Sequence, residues 1–248
     1  MEDHAYIGEL AASIIYLLAG VRLILLGIRT TEVPERLLGT SFVFIGVSSL
    51  LYTFAVFPIF ESVSIPLNFA ARVSYLPGSI LIAFFTERVF REGERWAMWF
   101  AWGAGVLATA GVVGSALGGD WEGFSIRNGW FWLEWVGYTL PFGWAATEAF
   151  NQYRQARRRM SLGLCEPVIC NRLLLWSLFG VAQFASCVVV IGQYAAFERE
   201  SVFSATWDNL YGAATISGLI MISLAFFPPA SYLRWVERTT RVPDVERD

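Results

Sequence analysis

The chain has 248 residues, 56% of them hydrophobic and 16% charged, with a mean hydropathy of +0.51 and a net charge of −3. Soluble domains run at roughly 45–50% apolar and about 25% charged, so this balance excludes an ordinary soluble enzyme and points to a membrane protein. All 18 basic residues are arginine, which points to a GC-rich bacterial source. It also excludes a Schiff base on a side-chain amine, and with it a retinal-linked rhodopsin.

In chain order, seven apolar stretches reach the ~20 residues that a bilayer requires: 7–27, 37–57, 67–90, 96–117, 129–150, 168–194 and 206–235. They predict an all-α, seven-transmembrane-helix bundle over residues 1–235 and a short cytoplasmic tail, 236–248. The opening MEDHAYIGEL is acidic and lacks a basic n-region, so the first span is expected to serve as its own insertion signal. Arg29 and Arg36 follow the first span, Arg88, Arg91 and Arg95 the third, and Arg154, Arg157, Arg158 and Arg159 the fifth. Arg234, Arg238, Arg241 and Arg247 follow the last, while the alternate side holds Arg127 and Arg199, with Arg72 just inside a helix. That bias predicts the N-terminus outside and the C-terminus in the cytoplasm, in a bacterial inner membrane.

The third span carries a polar stripe: Asn68, Arg72, Tyr75, Ser79 and Thr86 share one helical face. Lipid cannot satisfy such a stripe, so it must turn toward protein or water, which makes this the central helix. The fourth span is uncharged and rich in small residues, among them Ala101, Ala104, Gly105, Ala108 and Gly114; it is expected to be scaffold packed closely against a neighbour in the bundle. Pro77-Gly78 and Pro141 are candidate kinks, and Pro228-Pro229 is expected to end the membrane part of the seventh span, leaving SYLRWVERTT at the interface.

Glu9, Arg72, Glu134 and Asp208 lie on four different helices, each near the outer boundary and on a face already marked polar. Each alone could snorkel to the headgroups; together they predict an outward-facing vestibule in which Arg72 pairs with Glu134 or Asp208. Tyr52, Tyr75, Tyr194 and Tyr211 lie at a comparable depth, Tyr138 shares the polar face of Glu134, and the run GWFWLEW brackets Glu134 with tryptophans. An interfacial aromatic belt is the plain reading; a vestibule that holds a small organic cation by ring faces and carboxylates is the sharper one.

On the inner side, Glu87, Arg88, Arg154, Arg157, Arg158 and Arg159 are expected to touch anionic lipid or a cytoplasmic protein partner, without any nucleic-acid role. Glu87-Arg88-Val89 resembles the acidic-Arg-aromatic motif that ends the third helix of class A G-protein-coupled receptors, with Val89 where the aromatic would be. Pro229-Ala230-Ser231-Tyr232 resembles the tail of their Asn-Pro-x-x-Tyr motif, with Pro228 in the Asn position. What is shared is topology, which implies no function. The first-loop run Arg29-Thr30-Thr31-Glu32-Val33-Pro34-Glu35-Arg36 is similar to uncharacterised bacterial seven-helix membrane proteins, a resemblance that implies no activity.

No catalytic residue, metal site or cofactor is expected. The only histidine is His4, so an intramembrane zinc hydrolase or a two-histidine haem site lacks its ligands. Neither a phosphate-binding glycine loop nor a GxSxG elbow occurs, and Cys165, Cys170 and Cys187 form no disulfide framework. The expectation is a receptor-like or ligand-binding multi-pass protein that is not an enzyme. A small transporter or ion pathway and a non-catalytic accessory subunit are the rivals.

Overall fold

A computed structural model describes residues 3–119, 128–197 and 205–240. Among these residues there is no strand. Seven long helices follow one another: α1 (Asp3–Thr30), α2 (Val33–Val56), α3 (Ser64–Phe90), α4 (Arg95–Leu117), α5 (Gly129–Met160), α6 (Pro167–Phe197) and α7 (Ala205–Phe226). A short α8 (Ala230–Thr240) completes the order, and a 3₁₀ turn, Pro58–Val63, leads into α3.

Five helices are long and apolar enough to cross a membrane, and α7 with α8 passes the same test as a bent pair. These helices mark an integral, multi-pass membrane protein. α5 falls short because its first half carries Glu134, Pro141, Tyr138 and four tryptophans in place of aliphatic residues. Yet it is deeply embedded, with Phe131, Glu134, Pro141 and Phe142 fully buried.

The helices differ from the expected spans at their ends. α5 continues ten residues past Phe150, so Arg154, Arg157, Arg158 and Arg159 lie on helix where a loop was expected. Gln, Ala, Met and Arg are good helix formers, and arginines in a last turn oppose the negative end of the helix dipole. The expected last span, 206–235, is two elements: α7 ends at Phe226, Pro228-Pro229 intervene, and α8 leaves at 86°. A proline offers no N–H to the turn before it, so the helix cannot continue through the pair. The expected tail from 236 therefore begins inside α8.

Each long helix packs on the next, α7 closes back on α1, and α3 also reaches across to α5. Close approach is made possible by small residues. A Cβ on Gly20 would lie 2.8 Å from the Gly39 carbonyl oxygen, and one on Gly39 2.7 Å from that of Gly20, so α1 and α2 touch backbone to backbone. On α4, Gly111 and Gly114 face α5, whose Gly137 returns the contact at Ala108.

Hydroxyls supply further cross-links. Ser41 donates to the Gly78 carbonyl at 2.7 Å, Ser48 to Ala71 at 2.8 Å and Ser177 to Ala146 at 3.0 Å. The expected stripe of α3 faces protein: Arg72, Ser79 and Thr86 are buried, and Asn68 and Tyr75 are half-buried. The middle of the bundle is filled by Tyr16, Phe42, Ile82, Phe142, Trp176, Phe179 and Ile222.

Candidate functional site

Arg72 stands on α3 about two turns after its start, and Glu134 on α5 a little over one turn after Gly129. Their side chains meet inside the bundle as a two-pronged ion pair: Nε donates to Oε1 at 3.0 Å and Nη2 to Oε2 at 2.5 Å. Glu134 is fully buried and Arg72 is 8% exposed, so the pair faces protein and not lipid. This is the partner that the sequence offered for Arg72, alongside Asp208.

The guanidinium fork matches the carboxylate plane, which makes the pair geometrically selective as well as charge-assisted. Tyr138, one turn after Glu134, donates its hydroxyl to the Arg72 carbonyl at 2.9 Å. The two helices are thus tied by side chain to side chain and by side chain to backbone at one level. Gly111 of α4 allows this, because any Cβ there would collide with the Glu134 backbone.

Below the pair the interior is lined with phenols. Tyr75 packs edge-on against Tyr138 with ring centres 4.9 Å apart, and Trp135 lies 6.3 Å from Tyr138. Tyr16, Cys187, Tyr211 and Tyr138 all lie within electrostatic range of the Tyr75 hydroxyl, and Cys187 also adjoins Thr139. Five helices, α1, α3, α5, α6 and α7, therefore bring polar groups to one place.

Of the expected vestibule residues, the structure brings together Arg72, Tyr75, Glu134, Tyr138 and Tyr211. Tyr52 is more than a third exposed on α2. The side chains of Glu9, Tyr194 and Asp208 lie outside the described residues. Tyr16, Thr139 and Cys187 were not among the expected site residues. Tyr16 and Cys187 lie on polar stripes readable from the spacing, but nothing in the spacing says that their helices turn those stripes toward Tyr75.

A second ionic cluster joins the same two helices at their other end. Arg91, just after α3, donates from Nε to Glu148 Oε1 of α5 at 2.9 Å and from Nη1 to Glu94 Oε1 at 3.3 Å. The Trp144 indole donates to the same Glu148 oxygen at 3.3 Å, and the Trp96 indole donates to Glu94. Arg91 also lies over the Trp96 ring, 5.6 Å from its centre. The hydrogen bond to Glu148 raises the Arg91 guanidinium above its ordinary value, partial burial opposes this, and Glu94 adds to the rise. Glu148 is 5% exposed, whereas the expected contact residues beside it are on the surface, where Arg88 pairs with Glu92 at 2.7 Å.

Replacing Arg91 with Gln is expected to cost about 1–3 kcal/mol, because the Glu148 carboxylate would stay buried with the Trp144 indole as its remaining donor. Replacing Arg88 is expected to change stability by less than about 1 kcal/mol, its ion pair being solvated. Thermal unfolding of the two variants in detergent makes the comparison. No three His, Cys, Asp or Glu side chains come together to hold a metal among the described residues. No protein-family model, curated protein or solved structure matches the chain.

Proposed function

We propose that the chain is a seven-span protein of a bacterial inner membrane, N-terminus outside, which binds a small ligand through an outward-facing site and passes that event to its inner surface. The arginine distribution supports the orientation, to which Arg22 and Arg172 add two more charges on the inner half. The observation that carries the binding reading is the Arg72–Glu134 pair, buried between two proline-containing helices above a phenol-lined interior.

A buried ion pair is weak as a stabiliser, since desolvation offsets most of its attraction, but it is well suited to hold one arrangement against another. Both Glu134 oxygens accept from Arg72, so a ligand must compete for one partner. The ring faces of Tyr75, Tyr138 and Trp135 favour an organic cation that takes the carboxylate. Arg72 lies eight residues into α3, roughly 12 Å along it, near enough for a released guanidinium to reach outer water.

Release would loosen α3 from α5 at one end, while Arg91–Glu148 holds them at the other, 14 residues or roughly 21 Å further along α5. The aromatic and aliphatic layer between the two ion pairs argues for binding over conduction, because an ion path needs polar groups throughout.

The test is a thermal-shift screen of the purified protein with quaternary ammonium compounds and aromatic amines, read with native mass spectrometry. One class is expected to raise Tm and be retained one to one by the wild type, and to do neither in the Arg72→Leu/Glu134→Leu double variant. An unchanged Tm across the whole screen, or an equal shift in the double variant, would end the reading.

A further inference from the structure

Arg22 is at odds with its surroundings. It stands within α1, eight residues before the helix ends at Thr30, and it is exposed. Around it on the same helix, Leu18, Val21, Leu25 and Leu26 are exposed large apolar side chains, the face that a membrane helix turns to lipid. None of the described residues accepts a hydrogen bond or an ion pair from its guanidinium. Its one placed contact is the ring of Phe227, 4.5 Å from ring centre to guanidinium carbon.

Phe227 lies in the elbow where α7 ends and α8 departs at 86°. α8 is held there: its Tyr232 hydroxyl and the Asn171 amide of α6 bond each other at 2.9 and 3.1 Å, and Val236 is buried. Its Arg234, Trp235 and Arg238 are exposed. A short helix at right angles to the bundle, with one side packed and the other carrying Arg and Trp, is shaped to lie in the headgroup layer.

We propose that the corner between α1 and the α7–α8 elbow binds the phosphate of an anionic phospholipid from the inner leaflet, with Arg22 as its main ligand and the Phe227 ring fixing the guanidinium. An arginine on a lipid-facing stripe has five donors, here without an acceptor among the described residues, and the nearest acceptors in a bilayer are phosphates. Arg22 is exposed, which leaves those donors open to such a group. The charge of the exposed Arg22 guanidinium favours an anionic headgroup over a zwitterionic one.

The leaflet assignment rests on the orientation proposed above; the site itself requires only that α1 lies in lipid. The full-length protein in detergent micelles doped with equal amounts of phosphatidylglycerol and phosphatidylcholine would be analysed by native mass spectrometry. The wild type is expected to retain one phosphatidylglycerol in preference, Arg22→Lys to retain most of it, and Arg22→Gln to lose about fivefold in retention, the effect of one basic residue at an anionic surface. Equal retention by Arg22→Gln, equal retention of phosphatidylcholine, or displacement of the lipid by millimolar inorganic phosphate would overturn the proposal. Accessibility of a C-terminal epitope in intact spheroplasts reports the orientation separately, so a reversed topology and an absent lipid site give different results.

Discussion

Replacing Glu134 with Gln is expected to cost about 3–5 kcal/mol of folding stability, the largest loss from any single polar substitution in the bundle. The change removes the carboxylate and leaves Arg72 almost wholly buried with its charge intact. A guanidinium does not shed its proton in a protein, so the uncompensated charge has no chemical escape. The reverse substitution, Arg72→Gln, strands the buried Glu134 carboxylate and should be destabilising for the same reason. The double variant Arg72→Leu/Glu134→Leu removes both charges and should regain most of the loss.

Unfolding of the four proteins in one detergent gives the whole pattern. A double variant no more stable than either single variant would show that shape, and not charge, holds α3 to α5 at this level. Recovery in the double variant also supplies the folded control for the ligand screen: a protein that keeps its stability but lacks the ionic groups.

Much of the architecture was readable because membrane helices obey a strong constraint of length. A run of about 20 apolar residues has few other fates. The polar stripe of α3 was readable for the same reason: Arg72, Ser79 and Thr86 share a face that lipid would reject, and all three are buried. The partner of Arg72 was narrowed to Glu134 or Asp208, but spacing along one helix carries no information about the rotation of another, and α5 met α3 through the glycine contacts of α4.

The Arg91–Glu148 cluster escaped for a related reason. Arg91 read as one more topology arginine, since nothing local says that an arginine beyond α3 will reach 57 positions ahead. Helix ends were misplaced where hydropathy is the wrong measure. Residues 151–160 are too polar for a span but are good helix formers, so α5 continues through them. Arg22 was passed over because an apolar window absorbs a single charge.

The second large effect is expected from a single methyl group. Gly111→Ala should destabilise the protein by more than about 3 kcal/mol, although alanine favours a helix interior over glycine by about 1 kcal/mol. The alanine Cβ would collide with the backbone N and Cα of Glu134, which cannot swing aside as the end of a flexible side chain could. α5 would have to move off α4, and Glu134 would move with it relative to Arg72, so the substitution strains the helix contact and the ion pair together.

Gly103, two turns earlier on the same helix, supplies the contrast: a Cβ there meets nothing within 4 Å. Gly103→Ala should therefore follow intrinsic propensity and leave Tm unchanged or raise it. The two variants share a helix, a chemical change and a membrane, and differ in what the new methyl group meets. If both shift Tm in the same direction and by similar amounts, the close α4–α5 contact that sets the position of Glu134 is not what fixes the site. If they diverge as expected, combining Gly111→Ala with Arg72→Leu/Glu134→Leu separates the two strains. The penalty that survives in the triple variant is the helix contact alone, and the part that vanishes belongs to the displaced ion pair.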